Sequence, residues 1–483
     1  MKVAQNSYMF SMIVFELQDI VGREYVSTRA ADKETYSIDF FWIPEMWHDR
    51  QSTWDLTRPM ADVIVHPADA DEVSKVLKIA NNYKIPVTVW GGGSGSQGGA
   101  LPVFGGIILD TKRMDKIYEI DQNSMTVEVG TGIIMQNLEW ELESLGLSTM
   151  HDPGSARCAT VGGFIAHRGT GVLSNKYGKL EDMIVNMEVV TPTGEIIRTL
   201  PVPKTACGPD LNQIFIGSEG TLGVVTKVTL TVHRLPEVRQ FRAFIFPDLG
   251  TGLQVGQKLM TEHLQPAVIR LYNEEETHEL IRKVLGIEKH GAYMVICFDG
   301  KKKMVELQMN YAREIAGEAS GEDLGEEPGE VWWKNRYKFF FPPYMYQLPQ
   351  CFGTLDTVAT YSRIEGIYLA MKQVVNTKYP EARFIGHFSH WFHWGCMLYA
   401  RFIIDHPPED PNEVLFLHNN IWNDAMRAAM DAGGVLNEHH GIGLKLSRLT
   451  PELYGQAFEI IRTLKKSLDP NGIMNPGKLG LGL

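Results

Sequence analysis

The chain has 483 residues, of which 44% are hydrophobic and 22% charged, with a formal net charge of −12. This balance excludes a disordered or fibrous protein and, at roughly 100 to 200 residues per domain, allows more than one buried core. The acidic charge, with no basic run longer than Lys301-Lys302-Lys303, excludes nucleic acid or an anionic membrane as the main partner.

The first apolar stretch, residues 8–15, is too short to span a bilayer and lacks a small-residue cleavage site before Glu16. No membrane span is expected, and the chain reads as cytoplasmic. Residues 62–90 read as strand, helix, strand. Asp62-Val63-Ile64-Val65 is a short apolar run, Asp69 with Glu72 has the pattern of a capping box, and Val73, Val76, Leu77 and Ala80 share one helical face. Residues 86–90 then form a β-branched strand.

Directly after that strand, residues 91–99 carry glycine at six of nine positions, with Ser94, Ser96 and Gln97 between them. Successive backbone N–H groups in such a loop form a concave anion site suited to phosphate. The pattern is neither a P-loop nor a G-x-G-x-x-G opening a helix, because Ala100-Leu101-Pro102 breaks the next segment. Taken alone, it serves equally as a phosphate cradle and as a flexible surface loop. Strand-like runs at 107–110, 126–129 and 185–191 are accompanied by two more small-residue clusters, 152–163 and 217–223. Three such loops at strand ends suit a long, folded, phosphate-bearing ligand better than a single phosphate.

From 238 to 410 the glycine motifs stop and the texture becomes α+β. Residues 293–298 form an apolar strand, 317–329 read as an acidic, glycine-rich loop, and aromatic segments follow at 331–337, 339–344 and 388–394. A helix over 412–432 ends at Gly433-Gly434 and leads into Asn437-Glu438-His439-His440-Gly441-Ile442-Gly443. That stretch admits three readings: a metal site, a proton-transfer pair beside a cofactor, or satisfied core. The last helix is expected to start at Thr450-Pro451, to bury Tyr454, Ala457, Phe458, Ile461 and Leu464, and to stop at 469–472. Cys158, Cys207, Cys297, Cys351 and Cys396 form no C-x-x-C pair and are expected to be buried thiols.

Taken together, loop 91–99 after a strand, Thr160-Val161-Gly162-Gly163, Lys176-Tyr177-Gly178, residues 217–223 and residues 469–478 resemble the FAD-linked oxidases of the vanillyl-alcohol oxidase and p-cresol methylhydroxylase superfamily. The resemblance implies an α+β fold: a two-lobed FAD-binding domain of the p-cresol methylhydroxylase (PCMH) type, residues 1–237, and an α+β substrate or cap domain with an antiparallel sheet, residues 238–444. A segment at 445–483 would return to the FAD domain. Residues 159–171, Gly208-Pro209-Asp210 and 266–271 resemble the alkyldihydroxyacetone phosphate synthase branch, which performs no net redox reaction. Residues 19–39 and the tail 468–478 resemble D-lactate and glycolate dehydrogenases.

Three departures stand out. The synthase branch closes its active-site loop with three consecutive histidines; here Glu438 takes the first position, ahead of His439 and His440. A tyrosine of that branch falls, by spacing, at Phe392. The Asp-Gly-Asn metal segment of the dehydrogenase branch has no counterpart in His387-Phe388-Ser389-His390, so no metal is expected.

The resemblance implies FAD cradled by Gly91, Gly92, Gly93, Ser94, Gly95 and Ser96, with Pro153, Gly154, Thr160, Gly162, Gly163 and Val225 close to it. Glu219 and Gly220 would serve its nucleotide end. Loop 91–99 holds no histidine or cysteine, so the FAD is expected to be non-covalent. His440 is the expected base, since its ordinary pKa lies near working pH, with His439 and Glu438 orienting it. Arg336 and Arg270 are candidates for a substrate carboxylate or phosphate, each with an ion pair as the alternative. His390 and His393, interleaved with Trp391, Phe392 and Trp394, suggest a cavity face for an apolar or aromatic substrate portion.

The expected activity is oxidation of an alcohol carbon by hydride transfer to flavin, on a 2-hydroxy acid or a bulkier hydroxylated compound. A synthase-like transferase is the alternative, and a flavin subunit of an electron-transfer assembly a third. The expected partners are a small-molecule substrate, an electron acceptor that is oxygen or a separate electron-transfer protein, and, in one arrangement, a second copy in a homodimer.

Overall fold

The computed structural model describes residues 7–39, 60–337 and 350–482. The expected aromatic segment at 339–344 lies outside the described residues.

The apolar runs Val63–Val65 and Val87–Trp90 flank Ile107–Asp110 in a parallel arrangement, with Val63 and Val87 both opposite Ile107. Parallel sheets are buried on both faces, which is why these strands are almost wholly apolar and β-branched. Val26–Ser27 adds an antiparallel edge. Helix Ala70–Tyr83 covers one face with Val73, Val76, Leu77 and Ala80, the face expected from their spacing. Its N-terminus is held from both sides: Asp69 accepts from Glu72 N, and the Glu72 carboxylate accepts from Ala68 N. Residues 8–15 lie in helix Ser7–Val21, which packs Ile13, Leu17 and Val21 into the same core.

The second lobe is a five-stranded antiparallel sheet in the order Ile117–Asp121, Thr126–Gly130, Val224–Thr231, Ile184–Val190, Ile196–Arg198. Its middle strand alternates buried and half-buried side chains along its length, the period of two that a sheet requires.

The remaining domain centres on a seven-stranded antiparallel sheet. The order is Glu322–Gly325, Val238–Phe246, Ala292–Gly300, Val268–Tyr272, Ala382–Trp391, Gly395–Ile404, Cys351–Thr360. Strand Ala292–Gly300 is buried on both faces. Met294, Ile296 and Phe298 meet the helices Leu249–Thr261 and Lys302–Glu318, while Tyr293, Val295 and Cys297 join a second core. That second core also contains Met150 and Leu173 from the FAD-binding half. A shared apolar core at this junction holds the two domains in one register, each buried side chain contributing about 1.5–3 kcal/mol.

Beyond helix Phe458–Leu468 the chain returns to the parallel sheet: Val87 N donates to Ile473 O and Asn475 N to Val87 O, both at 2.7 Å. Lys465 secures the return through Thr221 O and Met474 O.

Three expectations are corrected. Residues 317–329 are not a loop; they hold the end of helix Lys302–Glu318, strand Glu322–Gly325 and the start of helix Glu327–Asn335. Their acidity reflects an exposed edge position, with Asp323 paired to Arg242. The last helix is interrupted at Gly455–Ala457, where Gly455 adopts φ 52°, and the shift in register leaves Tyr454 and Ala457 exposed with only Phe458 of the expected face fully buried. Cys158 and Cys207 are exposed, on loops that no core covers, and only Cys297, Cys351 and Cys396 are buried. Among the described residues no helix is long and apolar enough to cross a membrane.

Candidate active site

A cavity partly open to solvent lies at the C-terminal end of strand Val87–Trp90. It is lined by Gly91, Gly92, Gly93, Ser94 and Gly95, by Thr160, Gly162 and Gly163, and by Glu219, Gly220 and Val225. Of the expected cofactor residues, Ser96, Pro153 and Gly154 are not in that lining; Gly154 is exposed beside the Tyr337 ring. The glycines are dictated by packing. A Cβ on Gly92 would fall 1.9 Å from Cys158 O, and one on Gly91 2.4 Å from Thr160 Oγ1. The first and second small-residue loops are therefore back to back. Gly95 differs, since a Cβ there would meet nothing within 4 Å. A backbone N–H donor bordered by open space on the cavity side is what close approach of a phosphate requires.

The His loop is suspended over this cavity by three carboxyl or amide groups. Glu219 accepts from Ile442 N and, at 2.8 Å, from Gly443 N, so both its oxygens hold the loop. Burial pushes the Glu219 carboxyl up to about 7 even with those two donors. Asn437 Oδ1 accepts from His439 N and His440 N. Asp356, fully buried on strand Cys351–Thr360, accepts from Glu438 N at 2.9 Å and His439 N at 3.3 Å. Gly443 passes so close to Gln97 O that a Cβ would lie 2.1 Å away.

His440 is the one of the two histidines that lines the cavity. Its Nδ1 is 2.8 Å from Asp356 Oδ1, which makes Nδ1 the protonated nitrogen and leaves the Nε2 lone pair as a base. His439 lies against it, ring centroids 3.8 Å apart, with its own Nδ1 3.1 Å from both Asp356 Oδ2 and Glu438 Oε2. The two rings titrate in opposite directions. Burial disfavours charge on His439, but Asp356 and then Glu438 outweigh it and push the pKa up to about 9. Burial, then the neighbouring His439 charge, lowers His440. Burial would raise Asp356, yet the two rings hold it well below the ordinary carboxylate range. Of the two rings, the surroundings favour charge on His439 and disfavour it on His440.

Glu438 and His390 stand behind the loop. Glu438 Oε2 is 2.9 Å from His390 Nδ1, and Oε1 is 2.9 Å from Lys179 Nζ and 3.3 Å from Thr170 Oγ1. Burial pushes His390 down to about 4 against the pull of Glu438.

Arg336 lies on the cap side of the junction. Its Nε and NH2 both donate to Asp152 Oδ2, at 3.1 and 2.9 Å, and its guanidinium stacks 3.5 Å from the Trp333 ring centroid. Arg270 is less engaged: NH1 meets His387 Nε2 at 2.9 Å, its buried Nε has no partner, and among the described residues it forms no ion pair. Phe392 stacks on Trp394 at a hairpin turn, and the phenol beside the histidines is Tyr399, 5.5 Å from His440 between centroids.

Sequence reasoning missed Asp356, Lys179, His167 and Tyr399. For Asp356 a signal existed: one acidic residue inside the β-branched run Leu355-Asp356-Thr357-Val358. His167 lines the cavity, and its Nδ1 donates to His439 O at 2.8 Å, joining the end of helix Val161–His167 to the His loop.

Two groups, Asp356 with His439 and His440, and His390 with Glu438 and His439, have ligand-type atoms within 4.8 Å of one another. The second forms without any Asp-Gly-Asn segment. Within it, Lys179 Nζ lies 2.9 Å from Glu438 Oε1, and His390 Nδ1 hydrogen-bonds Glu438 Oε2 at 2.9 Å.

Comparison with known proteins places this geometry. A family model described as FAD binding domain matches residues 61–200, and one described as FAD linked oxidases, C-terminal domain, matches residues 235–479. The chain belongs to the FAD-linked oxidases, and FAD is its cofactor. It is 30% identical to the uncharacterized FAD-linked oxidoreductase YgcU of Escherichia coli, over 97% of this chain and 98% of that one. It is also 30% identical to a probable mitochondrial D-lactate dehydrogenase of Danio rerio, over 97% and 91% of the two chains. A solved alkyldihydroxyacetonephosphate synthase superimposes with a TM-score of 0.77 at 26% identity, covering 96% of this chain and 84% of that one.

Proposed function

We propose that the protein oxidises an alcohol carbon of an anionic small molecule, a 2-hydroxy acid or a bulkier relative, at a site built on His440. The observation that carries this reading is an imidazole on the wall of the cofactor cavity with its Nδ1 fixed on a buried carboxylate.

The glycine loops 91–95 and 160–163 would hold FAD, which supplies the hydride acceptor when bound. His440 Nε2 removes the hydroxyl proton of the substrate as the carbon–hydrogen bond breaks. Asp356 keeps Nε2 directed at the cavity and stabilises the imidazolium that forms. Burial first, and the neighbouring His439 second, lower the His440 pKa, which favours its basic form. Arg270, whose charge reaches His390 and Tyr399, is the group best suited to a substrate carboxylate, since Arg336 is occupied by Asp152.

The synthase-like transfer reaction is a second reading, favoured by the 26% identity to the solved synthase over 96% of this chain. Position 392 counts against it, since a phenylalanine stacked on Trp394 cannot carry a proton. Anaerobic mixing of the holoenzyme with hydroxy acids, aromatic alcohols and acyl-dihydroxyacetone phosphate separates the two. Bleaching of the flavin by an alcohol is the expected result; alkyl exchange on the phosphorylated ketone without lasting bleaching contradicts it.

A further inference from the structure

The cluster behind the His loop brings together three side chains of cation-binding type and one permanent cation. His390 Nδ1, a Glu438 carboxylate oxygen and His439 Nδ1 lie within 4.8 Å of one another, and all three residues are at least largely buried. Lys179 enters from the FAD-binding half. Its Nζ is 2.9 Å from Glu438 Oε1 and 2.8 Å from Glu438 O, with a side chain only 10% exposed. We propose that Lys179 is a built-in cation that takes the place of a divalent metal at His390, Glu438 and His439, so that this centre works without one.

Three observations support the proposal. First, the carboxylate is saturated: Oε2 faces His390 Nδ1 at 2.9 Å and His439 Nδ1 at 3.1 Å, while Oε1 faces Lys179 and Thr170. A divalent ion would have to displace these contacts and then sit beside an ammonium group of the same sign. Second, the His390 ring nitrogen faces the wrong way chemically. His390 Nδ1 lies 2.9 Å from Glu438 Oε2 and donates to it, and a nitrogen that carries a proton there has no lone pair for a metal. Third, Lys179 is anchored from its own backbone. Its N–H donates to Asp182 Oδ2 at 2.8 Å, which fixes the start of helix Leu180–Met183 and directs the side chain across the domain junction.

The consequence is independent of which substrate the cavity takes, and its test does not read turnover. Holoenzyme is stripped with a chelator, gel-filtered, analysed for metals and titrated with Co2+, whose complexes with histidine and carboxylate ligands absorb in the visible. The wild type is expected to hold no stoichiometric divalent ion and to develop no visible Co2+ bands. Lys179→Ala, which removes the ammonium and vacates its volume, is expected to bind one Co2+ per chain and to lose it again on adding His390→Ala. Lys179→Arg, which keeps the charge, is expected to exclude Co2+ as the wild type does. Lys179→Met, which keeps the stem, covers the case in which the alanine variant does not fold. The proposal is overturned if wild-type protein carries one divalent ion per chain that His390→Ala removes, or if a folded, FAD-loaded Lys179→Ala or Lys179→Met variant takes up no Co2+.

Discussion

Asp356 Oδ1 lies 2.8 Å from His440 Nδ1, joining the middle of strand Cys351–Thr360 to a loop 84 residues further along the chain. The contact selects the tautomer that leaves the lone pair on Nε2. Asp356→Asn keeps the shape but removes the charge that stabilises the imidazolium and lets the amide donate to Nδ1 instead. Substrate-driven flavin reduction is expected to slow by roughly 10²- to 10⁴-fold, with FAD content unchanged. Stopped-flow reduction at wild-type rate would show that the carboxylate is only structural.

The neighbouring rings set a pH window. His440 is lowered, by burial first and His439 second, so flavin reduction should hold its rate down to somewhat below pH 6.5 and fall only as Nε2 protonates. His439 has a folded pKa of about 9 against 6.5 ordinarily. A raised value contributes stability that is fully present below about pH 6.5 and is lost as pH rises through about 9; the shift corresponds to something on the order of 3 kcal/mol. His439→Gln is therefore expected to lower Tm most at mildly acid pH, with the gap to wild type closing towards about pH 10. A gap independent of pH would mean that His439 is not held charged.

The two kinds of glycine in the cradle predict different losses. Gly92→Ala drives a methyl group into Cys158 O and is expected to cost about 1–3 kcal/mol by thermal unfolding and to release FAD. Gly95→Ala meets no protein atom, so unfolding of the FAD-free protein should be unchanged while FAD affinity falls. Equal FAD affinity in Gly95→Ala and wild type would place the cofactor away from this residue.

The two arginines separate binding from architecture. Arg270→Met removes a half-buried cation that forms no ion pair among the described residues and is expected to raise KM for an anionic substrate about 10- to 100-fold with a small change in Tm. Arg336→Met breaks the Asp152 contact across the domain junction, so Tm should fall and KM change less. The reverse pattern in steady-state and melting data would exchange their roles.

The glycine loops, the helix Ala70–Tyr83 and the return of the tail to the FAD domain were legible because each rests on local rules: Cβ clashes, helical periodicity, and a recognisable motif. The supports of the His loop were not. Asp356, Glu219 and Lys179 act at 82, 223 and 259 residues' separation from the backbone groups they hold, and nothing near them in the chain marks that partner. Glu219 shows the limit well. Its setting in a small-residue loop suggested the nucleotide end, whereas both oxygens hold Ile442 and Gly443. Strand Glu322–Gly325 escaped detection because an edge strand needs no apolar alternation, and its acidity and glycines read as a loop.

We propose His440 as the group that removes the substrate proton. The most direct measurement is anaerobic reduction of the bound flavin in His440→Ala, with an alcohol substrate that reduces the wild type. The variant is expected to load FAD and to show reduction abolished or slowed by roughly 10²- to 10⁴-fold. Reduction at the wild-type rate would remove His440 from the mechanism.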